Sequence, residues 1–262
     1  MKNSICILAA ALLLLMAGCA PKWEETATPD GYNLVTQKDG PSLGYSPASG
    51  VQLITSGGYA FKDLNRNGKL DVYEDWRKSP ERRAADLASQ LSIEEIAGLM
   101  LYSGHQSVPS ENITDAQKKF LSEDNLRAVL VTSVASPEVA AKWNNNVQAF
   151  VEGLGHGVPS NNSSDPRNET SATAEFNAGS GGRISQWPTT LGMAATFDPD
   201  LVEEFGRIAS KEYRALGIAT ALSPQIDLAT EPRWSRFSGT FGEDPDLDVH
   251  MARSYVDGFQ TT

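Results

Sequence analysis

The sequence is short of three things, and each shortage closes off a class of function. Cysteine is nearly absent: 262 residues contain only Cys6 and Cys19. Cys6 lies in an apolar leader, so Cys19 is the one thiol expected in the mature chain. A disulfide, a thiolate metal site and a cysteine nucleophile are therefore excluded from the folded part. Basic charge is also scarce, with 22 Lys and Arg against 33 Asp and Glu, a formal net charge of −11. That balance argues against nucleic acid or an anionic membrane surface as a partner. Finally, the uncharged apolar run over residues 5–16 falls short of the ~20 residues that cross a bilayer. What remains is a length that can hold one barrel or two small domains.

Lys2 followed by that short apolar run has the layout of a signal peptide over residues 1–18. The run ends Leu15-Met16-Ala17-Gly18-Cys19, which resembles a bacterial lipobox, with Met16 where leucine is commoner. The resemblance implies cleavage before Cys19, a lipid on its sulfur, and an exported, membrane-anchored lipoprotein, periplasmic or at the cell surface. An ordinary signal peptide with an incidental cysteine is the competing reading. Residues 19–58 are rich in Pro, Gly, Ser, Thr and charge, and read as a flexible tether.

From Tyr59 the pattern changes. Residues 82–91 carry apolar side chains at helical spacing, and Ser92-Ile93-Glu94-Glu95 has the form of a capping box opening a second helix. Met100-Leu101-Tyr102 and 128–132 read as strands, the latter from its β-branched run. Pro137 opens a helix that Gly153 is placed to stop. Asp198-Pro199 and Asp244-Pro245 each put Asp at an N-cap and Pro at the first helical position. Residues 218–222 read as a further strand, and strand–helix alternation of this kind argues for a parallel α/β architecture. Residues 160–186 are polar and rich in Gly, Ser and Asn, and read as a long functional loop.

Asp63-Leu64-Asn65-Arg66-Asn67-Gly68-Lys69-Leu70-Asp71-Val72-Tyr73-Glu74 matches the EF-hand loop pattern. Asp63, Asn65 and Asn67 offer side-chain oxygens, Lys69 its carbonyl, Asp71 serves position nine, and Glu74 closes the loop. Gly68 permits the sharp turn. With only three carboxylates among the ligands, calcium is expected to bind weakly and structurally, over a segment 59–80 that leads into the first helix. A polar turn that holds no metal is the alternative.

The chemistry-bearing strings lie further on. Ser223-Pro224-Gln225-Ile226-Asp227 precedes Glu231-Pro232-Arg233-Trp234-Ser235-Arg236, then Thr240-Phe241-Gly242-Glu243-Asp244-Pro245. With Val158-Pro159 through Asp165-Pro166-Arg167, these strings resemble glycoside hydrolase family 3, the stretch 158–167 being similar to the family's strand that ends in an aspartate lining the sugar pocket. The resemblance implies an α/β fold, with residues 81–262 forming roughly the first half of a (β/α)8 TIM-type barrel. It further implies retaining, exo-acting, β-glucosidase-like hydrolysis of O-glycosyl bonds in a β-linked oligosaccharide or glycoside, with no cofactor for catalysis. Asp165 matches the family's aspartate that accepts from sugar hydroxyls, and Arg236 its arginine that donates to the same sugar. A carboxylate and a guanidinium suit neighbouring hydroxyls as acceptor and donor.

Departures from the family pattern bear on specificity and activity. Ser235 stands where glycine is usual, and Gly239 where glutamate is frequent. The resemblance implies that the family's Lys-His pair follows shortly after Gly258-Phe259-Gln260 and its nucleophilic aspartate further on, so the nucleophile and the acid/base are expected beyond residue 262, with no catalytic residue in the chain; none of His105, His156 and His250 lies in a Lys-His pair. Two rival functions follow: a lipid-anchored protein that captures sugar without cleaving it, and a calcium-dependent interaction module. Among the motif residues, Asp227 and Arg233 are expected to pair structurally. Glu243 and Asp244 are expected to serve a helix N-terminus. Trp143, Trp187 and Trp234 are expected in the core or a pocket wall.

Overall fold

The computed structural model describes residues 21–106, 110–131, 136–165, 168 and 183–261. Cys19 and the leader lie outside the described residues, as does Thr132. Contacts divide the chain into two compact units. One is the chain up to Ser92 with Ala149–Val158; the other is Ile93–Gln148 with Pro159–Thr262.

The first unit overturns the flexible tether expected over residues 19–58. Strands β1 (Trp23–Ala27), β2 (Asn33–Gln37) and β3 (Leu43–Tyr45) form an antiparallel sheet. Strands β4 (Gln52–Ser56) and β5 (Tyr59–Asp63) form a hairpin. Gly57 and Gly58 join the hairpin at φ 63° and 87°, the two left-handed positions that a tight two-residue turn requires. Order comes from a small core of Val35, Val51, Ala60, Phe61 and Val151. Trp76 closes it, stacking on Phe61 at 5.3 Å and donating Nε1–H to the Ala60 carbonyl at 3.1 Å. The indole thus buries its ring and satisfies its one donor at once. Helix α1 (Pro80–Gln90) starts from the Ser79 N-cap.

The second unit opens with α2 (Ile93–Leu99), then alternates β6 (Tyr102–Gln106), α3 (Asp115–Ser122), β7 (Ala128–Val131), α4 (Pro137–Glu152) and β8 (Asn161–Ser164). It continues through α5 (Thr190–Ala194), α6 (Pro199–Leu216), β9 (Thr220–Ala221) and α7 (Pro245–Phe259). The strands pair in parallel in the order β6-β7-β8-β9. Asp198 caps α6 by accepting from Asp200 and Leu201 amides, and Asp244 caps α7 by accepting from Leu247 at 2.8 Å. Its core gathers Met193, Val202, Phe205, Ala209, Phe241, Met251 and Tyr255. Helices α6 and α7 touch backbone to backbone, since a Cβ on Gly206 would lie 2.7 Å from the Tyr255 carbonyl and one on Gly258 2.3 Å from that of Glu203.

One strand follows the family resemblance and departs from the compositional reading. Residues 161–164, assigned by composition to the polar loop 160–186, form the strand β8 with its side chains at 162–164 buried. Each polar group there finds a partner. Ser163 and Ser164 donate Oγ–H to the Val129 and Val131 carbonyls at 3.1 and 2.5 Å, and Asn162 Nδ2 donates to Asn144 Oδ1 at 2.5 Å. Burial without such bonds would cost about 1–3 kcal/mol per group. Among the described residues, no helix is long and apolar enough to cross a membrane.

Candidate functional site

The C-terminal ends of β8 and β9 open onto a cleft in the second unit. Asp165 follows β8 directly, and Leu222 to Gln225 follow β9. Both line the cleft, and so do Asn168 and Arg236, while Phe205 and Tyr255 supply apolar wall. Asp165 and Arg236, the two residues matched to sugar contacts, thus share one cleft. They form no ion pair with each other.

Several lining residues are held from behind. The Tyr213 hydroxyl of α6 donates to the Asp165 carbonyl at 2.9 Å. The preceding residue, Glu212, accepts from Asn168 Nδ2 at 2.9 Å and from both the amide and the hydroxyl of Ser185, at 2.8 and 2.7 Å. Trp187 donates Nε1–H to the same Ser185 hydroxyl and packs edge-on against Phe205. Arg236 presents Nε and Nη2 to Gln225 Oε1 at 3.1 and 3.0 Å, and Gln225 Nε2 donates back to the Arg236 carbonyl at 3.4 Å. A Cβ at Gly239 would come within 3.0 Å of that Gln225 oxygen, so the small residue at 239 leaves room for the pair. Sequence reasoning missed Asn168, Glu212 and Gln225. Gln225 lay inside a quoted string, but no spacing rule tied it to Arg236.

Some neighbouring expectations need correcting. Arg233 does not pair with Asp227; its guanidinium forks onto Glu231 with two contacts of 2.8 Å, both residues lying exposed. The shorter loop places Glu231 nearer, and solvent removes any advantage of a buried partner. That guanidinium holds the Glu231 carboxyl down at about 2. Asp227 instead acts on Asp248 of α7, whose carboxyl is pushed up by burial and by the Asp227 charge. Trp143 is fully buried in the core, with Nε1 on Gln117 Oε1 at 3.4 Å.

In the first unit, the loop 63–74 gathers its polar atoms on itself. Asp63 accepts from the Asn67 and Gly68 amides at 3.0 and 2.9 Å. Asn65 and Asn67 both donate Nδ2–H to Asp71 Oδ2, at 2.6 and 2.7 Å, and the Lys69 amide donates to Asn67 Oδ1. Glu74 accepts from the amides of Leu64 and Asp71 at 2.7 and 3.0 Å. Among the described residues, no group of three or more His, Cys, Asp and Glu side chains is set to hold a metal ion.

The cleft lies at the carboxyl ends of parallel strands, the place where α/β folds commonly build their sites, and its lining includes one carboxylate, one guanidinium and side-chain amides. A model described as "Glycosyl hydrolase family 3 N terminal domain" matches residues 84–262, and the chain belongs to that family. It is 44% identical over 221 residues to a "Periplasmic beta-glucosidase/beta-xylosidase" of Dickeya chrysanthemi, covering 80% of this chain and 33% of the relative. A "Beta-glucosidase C" of Emericella nidulans is 36% identical over 76% of this chain and 32% of its own. Among solved structures, a β-glucosidase of Erythrobacter marinus superposes with a TM-score of 0.58 at 27% identity, covering 72% of this chain and 24% of that one. The chain therefore spans about a third of the length of the curated relatives it matches.

Proposed function

We propose that this chain is the sugar-binding part of a retaining, exo-acting β-glucosidase or β-xylosidase-like enzyme, with Asp165 and Arg236 holding the terminal sugar. Asp165 accepts from hydroxyls, and the outer N–H groups of Arg236 donate to their neighbours. Supporting this reading is one observation: two residues from distant parts of the sequence line a single cleft at the carboxyl ends of β8 and β9. The four parallel strands, in chain order, fit the opening half of a (β/α)8 barrel. Calorimetry with glucose and xylose tests the assignment. Binding by the native chain should weaken about ten- to a hundredfold in Arg236→Ala and in Asp165→Ala, as expected for a charge-assisted hydrogen bond. Equal binding by both variants and the native chain would remove both residues from the site.

A second reading is capture, in which Asp165 and Arg236 hold a sugar that is not cleaved. Capture without cleavage predicts sugar binding with no turnover of an aryl β-glucoside. The printed name of the Dickeya relative, which includes "periplasmic", supports export. Anchoring through Cys19 rests on the lipobox resemblance; Cys19→Ser should move the protein from the membrane to the soluble fraction.

A further inference from the structure

We propose that the loop 63–74 is a calcium site, separate from the sugar cleft, that fastens the end of β5 to helix α1. The sequence supplies oxygen donors at every ligand position of a twelve-residue EF-hand loop: Asp63, Asn65, Asn67, the Lys69 carbonyl, Asp71 and Glu74. All six are hard oxygen ligands, the set calcium selects. Half of them are amide or carbonyl groups, so the site needs no dense cluster of acids.

Two features of the fold favour a cation here. Asp63 and Glu74 are 4% and 5% exposed, yet neither they nor Asp71 form an ion pair with a described Lys or Arg. Every hydrogen bond they receive comes from a neutral amide: backbone N–H groups on Asp63 and Glu74, asparagine Nδ2 groups on Asp71. Buried carboxylates without a counter-charge are costly, and a bound divalent ion removes that cost. Independently, the Tyr73 hydroxyl is buried without a hydrogen-bond partner, in a residue 5% exposed. It belongs to residue 73, between the proposed ligands Asp71 and Glu74. The amide hydrogens of Asn65 and Asn67, converging on one Asp71 oxygen, supply the positive charge that a cation would bring. A half-turn of each amide presents its oxygen in place of its nitrogen.

The consequence is mechanical. Residue 73 of the loop is tied to α1 twice, its amide donating to Asp86 at 3.0 Å and its carbonyl accepting from Arg83 Nε at 2.9 Å. Arg66 donates to the Gly153 carbonyl at 3.0 Å, and Leu64 packs against Gly157. Filling the loop thus stiffens the first unit through two attachments at once.

Terbium(III), which occupies calcium sites and emits when a nearby tyrosine is excited, gives a direct test on the purified chain. We expect sensitised emission that calcium competes away and that Glu74→Gln and Asp71→Asn each weaken at least tenfold. Asp71→Asn guards against misfolding of the deeper Glu74 variant, and circular dichroism checks both. Calcium should raise the unfolding midpoint by several degrees, with magnesium at equal concentration raising it less. Emission that calcium does not displace, or a midpoint indifferent to calcium up to about ten times the ~10⁻³ M upper range of such loops, overturns the proposal.

Discussion

Strands β7 and β8 lie side by side in one sheet and are buried by opposite means. β7 reads Ala-Val-Leu-Val, and its Val129 and Val131 are shielded from solvent by apolar packing. β8 reads Asn-Asn-Ser-Ser, and its last three side chains are as deeply buried, each bonded to a neighbouring carbonyl or amide. Burial alone does not require an apolar residue; it requires that every polar atom be answered. The hydrophobic part of this unit is tolerant of chemistry and intolerant of lost volume. The polar part is the reverse.

The largest test removes volume from the apolar side. Phe205 is 2% exposed and packs on Trp187, Tyr255 and Phe259. Phe205→Ala should cost about 3–5 kcal/mol in denaturant unfolding. On the polar side, Asn162→Ala removes less volume than Phe205→Ala but strands the Asn144 oxygen, and a loss of about 1–3 kcal/mol is expected. A loss near zero would show that solvent answers Asn144 in its place, and would weaken the contrast between the strands.

A third test concerns charge at the edge of the same core. The folded protein holds the Asp248 proton more tightly than the unfolded chain does, because burial and then Asp227 oppose the carboxylate. Asp248 therefore adds stability below the ordinary carboxylate range, and that contribution is lost as pH rises toward the raised folded value. Asp248→Asn should flatten that fall in pH-dependent thermal unfolding. The smallest effect is expected at the exposed Glu231–Arg233 fork. Its sign is opposite: the contribution is present above the ordinary 4.5 of Glu231 and lost as pH falls toward about 2. Solvent screening makes it slight, and Arg233→Ala should leave the midpoint at neutral pH unchanged.

The same contrast explains what could be read in advance. Helices α6 and α7 carry Asp-Pro starts whose meaning is local, so their beginnings were legible from two residues each. β7 was legible from its β-branched run. β8 was legible only through the family strand that ends at Asp165; its composition reads as loop, because its local signal is the presence of acceptors on other elements, which no window along the chain contains. The sheet β1-β2-β3 was hidden for a related reason. Its strands are mostly exposed, with Val35 the one residue of β2 fully buried, so alternation never builds a pattern. At the cleft, Asp165 and Arg236 were found through family strings, whereas Gln225, Asn168 and Glu212 are defined by what they touch across the fold.

Helix α6 carries one further lesson. Its buried stripe, with Phe205 and Ala209, belongs to the core, while the adjacent Glu212 and Tyr213 fasten Asn168, Ser185 and the Asp165 carbonyl. One rigid rod is thus both the keel of the unit and the jig on which the cleft is assembled. A substitution that rolled it by a few degrees would leave the chain folded and the hollow misshapen.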